Sequence, residues 1–149
     1  MAELIAPQAT KLTCVDPSPA MLAAGRERVA ALKLTGVYFV EGTGEQLPLT
    51  DDSADSALFL QSLQYMTDPG QALTDATRVL APGGRLLIVT LAKHEFHEAE
   101  AFGHRHRGFS SDQLKRWTKG LTDHHLDVLP GEPRSPHFQT VILTARKRT

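Results

Sequence analysis

The chain has a single cysteine in 149 residues, so it cannot form the disulfide framework that staples small secreted folds. That residue, Cys14, falls in a short apolar segment and reads as a structural thiol rather than a nucleophile. No apolar run is long enough to span a bilayer, and the first residues lack the charged, apolar and small-residue succession of a secretory signal. The expected location is therefore the cytoplasm, with no membrane partner. Charge of either sign is also lacking in excess. Sixteen Lys and Arg against 17 Asp and Glu leave a net charge of −1, which gives no electrostatic reason for this segment to contact nucleic acid. There is no internal repeat, no low-complexity tract, no Walker loop and no Ser-His-Asp arrangement, which counts against nucleotidase and hydrolase chemistry. What remains is 41% apolar residues, enough for the core of one domain over residues 1–149.

The most informative stretch is Arg78 to Thr90, RVLAPGGRLLIVT. It predicts an amphipathic helix with Asp68 as N-cap, Pro69 at the first helical position, and Ala72, Leu73, Ala76, Val79 and Leu80 on one face. Pro82-Gly83-Gly84 stops that helix, and the run Leu86 to Val89 predicts a parallel strand covered on both sides. Upstream, Leu12 to Asp16 predicts a short strand ending in a carboxylate, followed by a helix with Ser18 as N-cap and Pro19 at N1. Ligands of open α/β sheets sit beyond the carboxyl ends of the strands, where an acidic residue suits the two hydroxyls of a ribose. Asp16 is thus either a ligand-facing carboxylate or part of the helix cap.

VDPSPAM, EGTGEQLPL at Glu41 to Leu49, DSALFLQSLQYMTDP at Asp55 to Pro69, and RVLAPGGRLLIV together resemble the class I S-adenosylmethionine-dependent methyltransferases of the type 11-like group. The order and spacing match as well, closely from Met1 to about Leu91 and loosely beyond. The resemblance implies an α/β fold, a Rossmann-like methyltransferase sheet that is mostly parallel with a C-terminal antiparallel hairpin. Phe138 to Arg146 fits the closing strand of that hairpin, and Leu126 to Leu129 fits its partner across the PGEPRSP loop.

It also implies S-adenosylmethionine as cofactor. Asp16 would hold the ribose hydroxyls, with Pro17 and Met21 lining the adenine side and Thr43 and Gly44 at the adenine edge. An aspartate commonly stands where this chain has Thr43, and a neutral hydroxyl accepts the adenine amino group more weakly, by about 1 kcal/mol. Gln61, just past the strand at Ser56 to Leu60, would lie close to the methionine moiety and the substrate. Without the wider pattern, Thr43 and Gly44 read as an ordinary turn.

The departure from the family is an absence. Its members begin with a strand and a glycine-rich loop, and nothing in residues 1–11 substitutes for either. Met1 to Ile5 reads as the last turn of the helix that follows such a loop, ended by Ala6-Pro7. The expectation is an N-terminally truncated domain lacking the first strand and glycine loop, with unpaired edges on the strands ending at Asp16 and Leu60. Such edges favour self-association into a homo-oligomer.

The least ordinary composition is Ala92 to Gly108, AKHEFHEAEAFGHRHRG, with His94, His97, His104 and His106 among acids and arginines. Three readings stand open: a metal site with His94 and His97 spaced i, i+3 on a helix, part of a substrate pocket at the ligand-bearing sheet edge, or a solvated helix and loop. The neutral-pH titration of imidazole makes any of the four a candidate general base. Next, Ser110 and Gln113 predict a capping box, Leu114 and Trp117 an inward face, and Gly120 a left-handed C′ residue. HRHRGFSSDQLKRW resembles a subgroup of methyltransferases found fused or adjacent to winged-helix regulators of the arsenic-repressor type. The function expected is methyl transfer to a small-molecule acceptor, with this chain alone inactive if the glycine loop is essential. The alternatives are a non-catalytic cofactor-binding or interaction module of a fused regulator, and a nicotinamide-dependent oxidoreductase, which Asp16 would also suit.

Overall fold

The computed structural model describes residues 2–131, 133 and 137–149 and divides into two compact units, Met1–Pro48 and Leu49–Thr149. In the first, a single helical turn α1 (Ala2–Ile5) passes into a 3-10 turn at Ala6–Gln8, where Pro7 ends it as expected. Strand β1 (Leu12–Asp16), helix α2 (Pro19–Ala31) and strand β2 (Val37–Glu41) follow. Parallel strands need a crossover, and α2 supplies it: β1 and β2 pair in parallel from Leu12 opposite Val37 to Asp16 opposite Glu41. The Ser18 hydroxyl accepts the Met21 N–H at 3.3 Å and Pro19 sits in the first turn, as the sequence predicts. Gly25 allows α2 to lie directly on the Phe39 ring of β2, which would overlap any Cβ at that position.

In the second unit, β3 (Ala54–Leu60), α3 (Pro69–Val79) and β4 (Leu80–Leu91) form a parallel crossover, followed by a 3-10 segment at His97–Phe102, α4 (Ser111–Trp117), β5 (Thr122–Leu129) and β6 (Thr140–Arg146). The sheet order is β3-β4-β6-β5, with β6 antiparallel to both β4 and β5. This is the C-terminal hairpin expected from the sequence, with β5 beginning earlier, at Thr122, and β6 later, at Thr140. Part of its PGEPRSP connection, residues 132 and 134–136, lies outside the described residues. The Asp68 carboxylate accepts the Gln71 N–H at 2.9 Å, and Ala72, Leu73, Ala76 and Val79 are buried on one helix face. Leu63, Leu80, Leu86, Ile88, Phe109, Leu114, Val141 and Leu143 complete the core.

Several local expectations are corrected. Leu80 is buried not as the last helical residue but as the extended C-cap that opens β4, and Pro82-Gly83-Gly84 forms an irregularity inside that strand between the pairs Ala54 to Leu80 and Ser56 to Arg85. The apolar run is not uniformly covered: Leu86 and Ile88 are buried, whereas Leu87 and Val89 are only half-buried. Cys14 is half-buried too, and desolvation still raises its thiol pKa, in keeping with an inert thiol. Gly120 does not adopt the left-handed conformation, because α4 ends at Trp117 and the Thr118 hydroxyl donates to the Leu114 carbonyl at 2.9 Å. Ser110 does cap α4, accepting the Gln113 N–H at 3.2 Å.

Among the described residues β1 pairs only with β2, and β3 pairs on one side only, with β4. Both strands therefore keep the unpaired edge that the sequence reading anticipates.

Candidate functional site

In the first unit, Asp16 stands at the C-terminal end of β1 beside the start of α2, where a ligand of a parallel sheet is met. One carboxylate oxygen, Oδ1, accepts the Ser18 N–H at 2.8 Å, an Asx-type turn that fixes the chain entering the helix. The local capping role is thus real, yet it uses one oxygen. Among the described residues no cation pairs with Asp16, so Oδ2 remains available to a hydroxyl donor. Pro17 is exposed, and Met21, one turn into α2, keeps 62% of its surface accessible. Thr43 opens a tight turn bridged to Gln46 just beyond β2, with Thr43 exposed and Gly44 half-buried. Strand register places Glu41 opposite Asp16, so the Thr43-Gly44 turn follows directly from the strand end beside the Asp16 carboxylate. These features fit a nucleoside: one carboxylate oxygen with its geometry fixed, an apolar side chain nearby, and a hydroxyl-bearing turn.

In the second unit, Gln61 follows β3 with φ +52°, a left-handed conformation that costs a non-glycine residue about 1 kcal/mol. Its N–H donates to the Val89 carbonyl at 2.7 Å, and its side chain is exposed at the strand tip. The Gln61 Oε1 accepts from the Gln64 side-chain amide at 3.2 Å, while Gln64 Oε1 accepts from the Thr90 hydroxyl at 3.3 Å. Gln64 is 2% exposed and Thr90 is fully buried. The Gln64 carbonyl in turn accepts the N–H groups of Arg105 and His106 at 2.8 and 3.2 Å. A buried amide thus ties the tips of β3 and β4 to the histidine-rich segment. Neither Gln64 nor Thr90 stood out in the sequence. Two glutamines three residues apart in an otherwise apolar run were the available signal.

That segment is not a plain solvated helix. His94 lies in irregular chain before the 3-10 turn that begins at His97, so the two do not share a helix face, and no group of three metal-ligating side chains occurs among the described residues. His106 Nε2 lies 2.9 Å from the Met66 carbonyl, and His97 is exposed. His104 Nε2 lies 3.2 Å from the Tyr65 hydroxyl, with the two rings edge to face. His94 Nδ1 accepts the Phe96 N–H at 3.2 Å, and its ring packs against Phe96 and edge-on to Phe138. Desolvation lowers the pKa of both His94 and His104, with the neighbouring His104 and Arg107 adding to the effect at His94. Both shifts favour the neutral form of the ring. His94 Nε2 and His104 Nδ1 are closed off and have no hydrogen-bond partner among the described residues.

Comparison with known proteins bears on the fold and the family. The chain matches the family model described as a methyltransferase domain over residues 1–88. It is 40% identical over 81 residues to the ubiquinone/menaquinone biosynthesis C-methyltransferase UbiE of Marinomonas sp. strain MWYL1, covering 54% of this chain and 32% of that protein. The corresponding protein of Cronobacter sakazakii is 36% identical over 87 residues, covering 58% and 35%. The chain thus spans about a third of the length of the curated relatives it matches. Among solved structures, the YcgJ protein of Bacillus subtilis matches with a TM-score of 0.81 at 17% identity, covering 99% of this chain and 87% of that one. Phosphoethanolamine N-methyltransferase 2 of Haemonchus contortus, solved in complex with S-adenosyl-L-methionine, matches with a TM-score of 0.80 at 16% identity, covering 99% and 46%. These structural likenesses establish the Rossmann-like methyltransferase fold. With more than half its length matched by the family model, the chain belongs to the methyltransferase domain family, within the class I S-adenosylmethionine-dependent methyltransferases.

Proposed function

We propose that this chain supplies nucleoside-binding and acceptor-facing parts of an S-adenosylmethionine-dependent methyltransferase that acts on a small-molecule acceptor in the cytoplasm. The observation that carries the reading is Asp16, with one carboxylate oxygen held by the Ser18 N–H and the other without a partner among the described residues. A carboxylate fixed in this way receives a ribose hydroxyl without further ordering of its own chain. Pro17 and Met21 offer apolar surface to the adenine, and Thr43 and Gly44 its polar edge. Gln61, at the tip of β3, is assigned to the methionine moiety, which explains why a strained conformation is kept there. S-adenosylmethionine, when bound, supplies an electrophilic methyl group on a sulfonium. Transfer from it rests mainly on orientation, which can contribute several kcal/mol, about 7 or more in well-aligned cases.

The test is calorimetric titration of S-adenosylhomocysteine into the chain and into Asp16→Asn. Asparagine keeps the side-chain oxygen that accepts the Ser18 N–H and removes the charge. Binding weakened about tenfold, with an unchanged thermal midpoint, is the expected result, equivalent to roughly 1.4 kcal/mol. Equal affinity in the two proteins would overturn the assignment of Asp16 to the ribose.

A further inference from the structure

Three side chains in a row join the interior of the second unit to the tip of β3, and each link between them has a direction. Gln64 lies in the 3-10 turn Leu63–Tyr65 and is 2% exposed, and Thr90, on β4, is fully buried. The main chain of Gln64 is fixed by the N–H groups of Arg105 and His106, which both donate to its carbonyl. Its side chain reaches Gln61 at 3.2 Å on one side and Thr90 at 3.3 Å on the other. Gln61 itself is exposed, and its backbone, at φ +52°, donates its N–H to the Val89 carbonyl.

The buried hydroxyl sets the direction. Thr90 has one hydroxyl proton to donate, and among the described residues Gln64 Oε1 is the acceptor it meets. That bond turns the Gln64 amide so that its NH2 group points the other way, towards Gln61, whose Oε1 accepts it. With its oxygen turned inward, Gln61 presents its own NH2 group, a donor and not an acceptor, at the exposed strand tip. An amide free to rotate offers either end to a ligand and loses that freedom on binding, whereas an amide already turned binds acceptor groups without the loss. The bonds also reinforce one another, since Thr90 polarises Gln64 and Gln64 polarises Gln61, which strengthens the outward N–H groups as donors.

We propose that Gln64, anchored by Thr90, is a positioning residue that fixes Gln61 as a hydrogen-bond donor at the tip of β3, so that this point of the site takes acceptor atoms of the ligand and refuses donors. The inference deepens the assignment of Gln61 to the methionine moiety and rests on it. That moiety carries a carboxylate, which accepts, and an ammonium, which donates. A Gln61 turned this way takes the carboxylate.

The experiment titrates S-adenosylhomocysteine calorimetrically into the full chain and its variants, with a ligand-free readout alongside. Gln61→Glu keeps the oxygen that accepts the Gln64 N–H and replaces the outward NH2 group by a second oxygen. It should weaken binding about tenfold with an unchanged thermal midpoint. Gln64→Met should weaken binding about fivefold, and in a Gln61→Ala background it should have no further effect, because Gln64 acts through Gln61. A loss of the same size in both backgrounds, or affinity in Gln61→Glu equal to or tighter than that of the unaltered chain, overturns the proposal. Thr90→Val preserves shape while releasing the Gln64 amide, and it decides in place of Gln64→Met if that variant fails to fold. The ligand-free readout is the heteronuclear Overhauser effect at Gln61 Nε2. It should be that of an ordered group in the unaltered chain and fall to that of a free surface amide in Gln64→Met or Thr90→Val. A mobile amide in the unaltered chain overturns the proposal even where S-adenosylhomocysteine does not bind, so failure of cofactor binding and failure of positioning are read separately.

Discussion

The ammonium of Lys147 lies 2.6 Å from the carbonyl oxygen of Leu80, and the same Nζ donates to the Thr77 carbonyl at 2.9 Å and to Asp52 at 2.7 Å. Thr77 and Leu80 flank the C-terminus of α3, where carbonyls lack helical partners and a cation complements the dipole. Replacing Lys147 by Met should therefore destabilise the chain by about 1–3 kcal/mol, read from urea unfolding. Lys147→Arg should recover little, since a planar fork does not reproduce a point donor serving convergent carbonyls.

Gly108 and Gly120 provide a matched pair. Gly108 has φ +71°, and a Cβ there would run into the Ala92 carbonyl oxygen, whereas Gly120 lacks a positive φ and has open space around it. Gly108→Ala should cost more than about 2 kcal/mol. Gly120→Ala should be neutral or stabilise by up to about 1 kcal/mol through the unfolded chain. Thermal unfolding of the two variants checks both directions.

The buried Gln64–Thr90 contact lends itself to a double-mutant cycle. Gln64→Met leaves the Thr90 hydroxyl enclosed without its Gln64 acceptor, and should cost about 1–3 kcal/mol. Adding Thr90→Val removes the stranded hydroxyl, so the double variant should be less unstable than the sum of the single ones. Strict additivity would show that the two side chains do not communicate.

Stability should depend on pH through His94 and His104. Both have folded pKa values below the ordinary 6.5, chiefly from desolvation, so below that pH the unfolded chain binds protons that the folded chain refuses. Their contribution is fully present above pH 6.5 and declines as pH falls from there towards the depressed folded values. Urea midpoints at pH 7.5 and 5.5 should show the loss, and a His94→Phe, His104→Phe double variant should flatten it.

Much of the architecture is legible one segment at a time. Asp68-Pro69 and Ser18-Pro19 announce helix starts because a side-chain acceptor and a fixed φ act within one turn, and the structure places both caps there. Gly120 misled because its neighbour Thr118 ends the helix by bonding backward to Leu114, a choice that packing around Thr118 makes rather than local propensity.

The histidine-rich segment marks the boundary between the two kinds of information. Sequence alone determined the family, the parallel crossovers, the capping residues and Asp16 at a strand tip, because each depends on short-range periodicity or on ordered motifs. Only the tertiary structure decided which imidazoles matter. It is the chain's return through Phe138, and the seating of residues 105 and 106 on the Gln64 carbonyl, that partly bury His94 and His104 and lower their pKa values by desolvation. Desolvation arises from contacts between residues distant in the chain, and no local pattern encodes it.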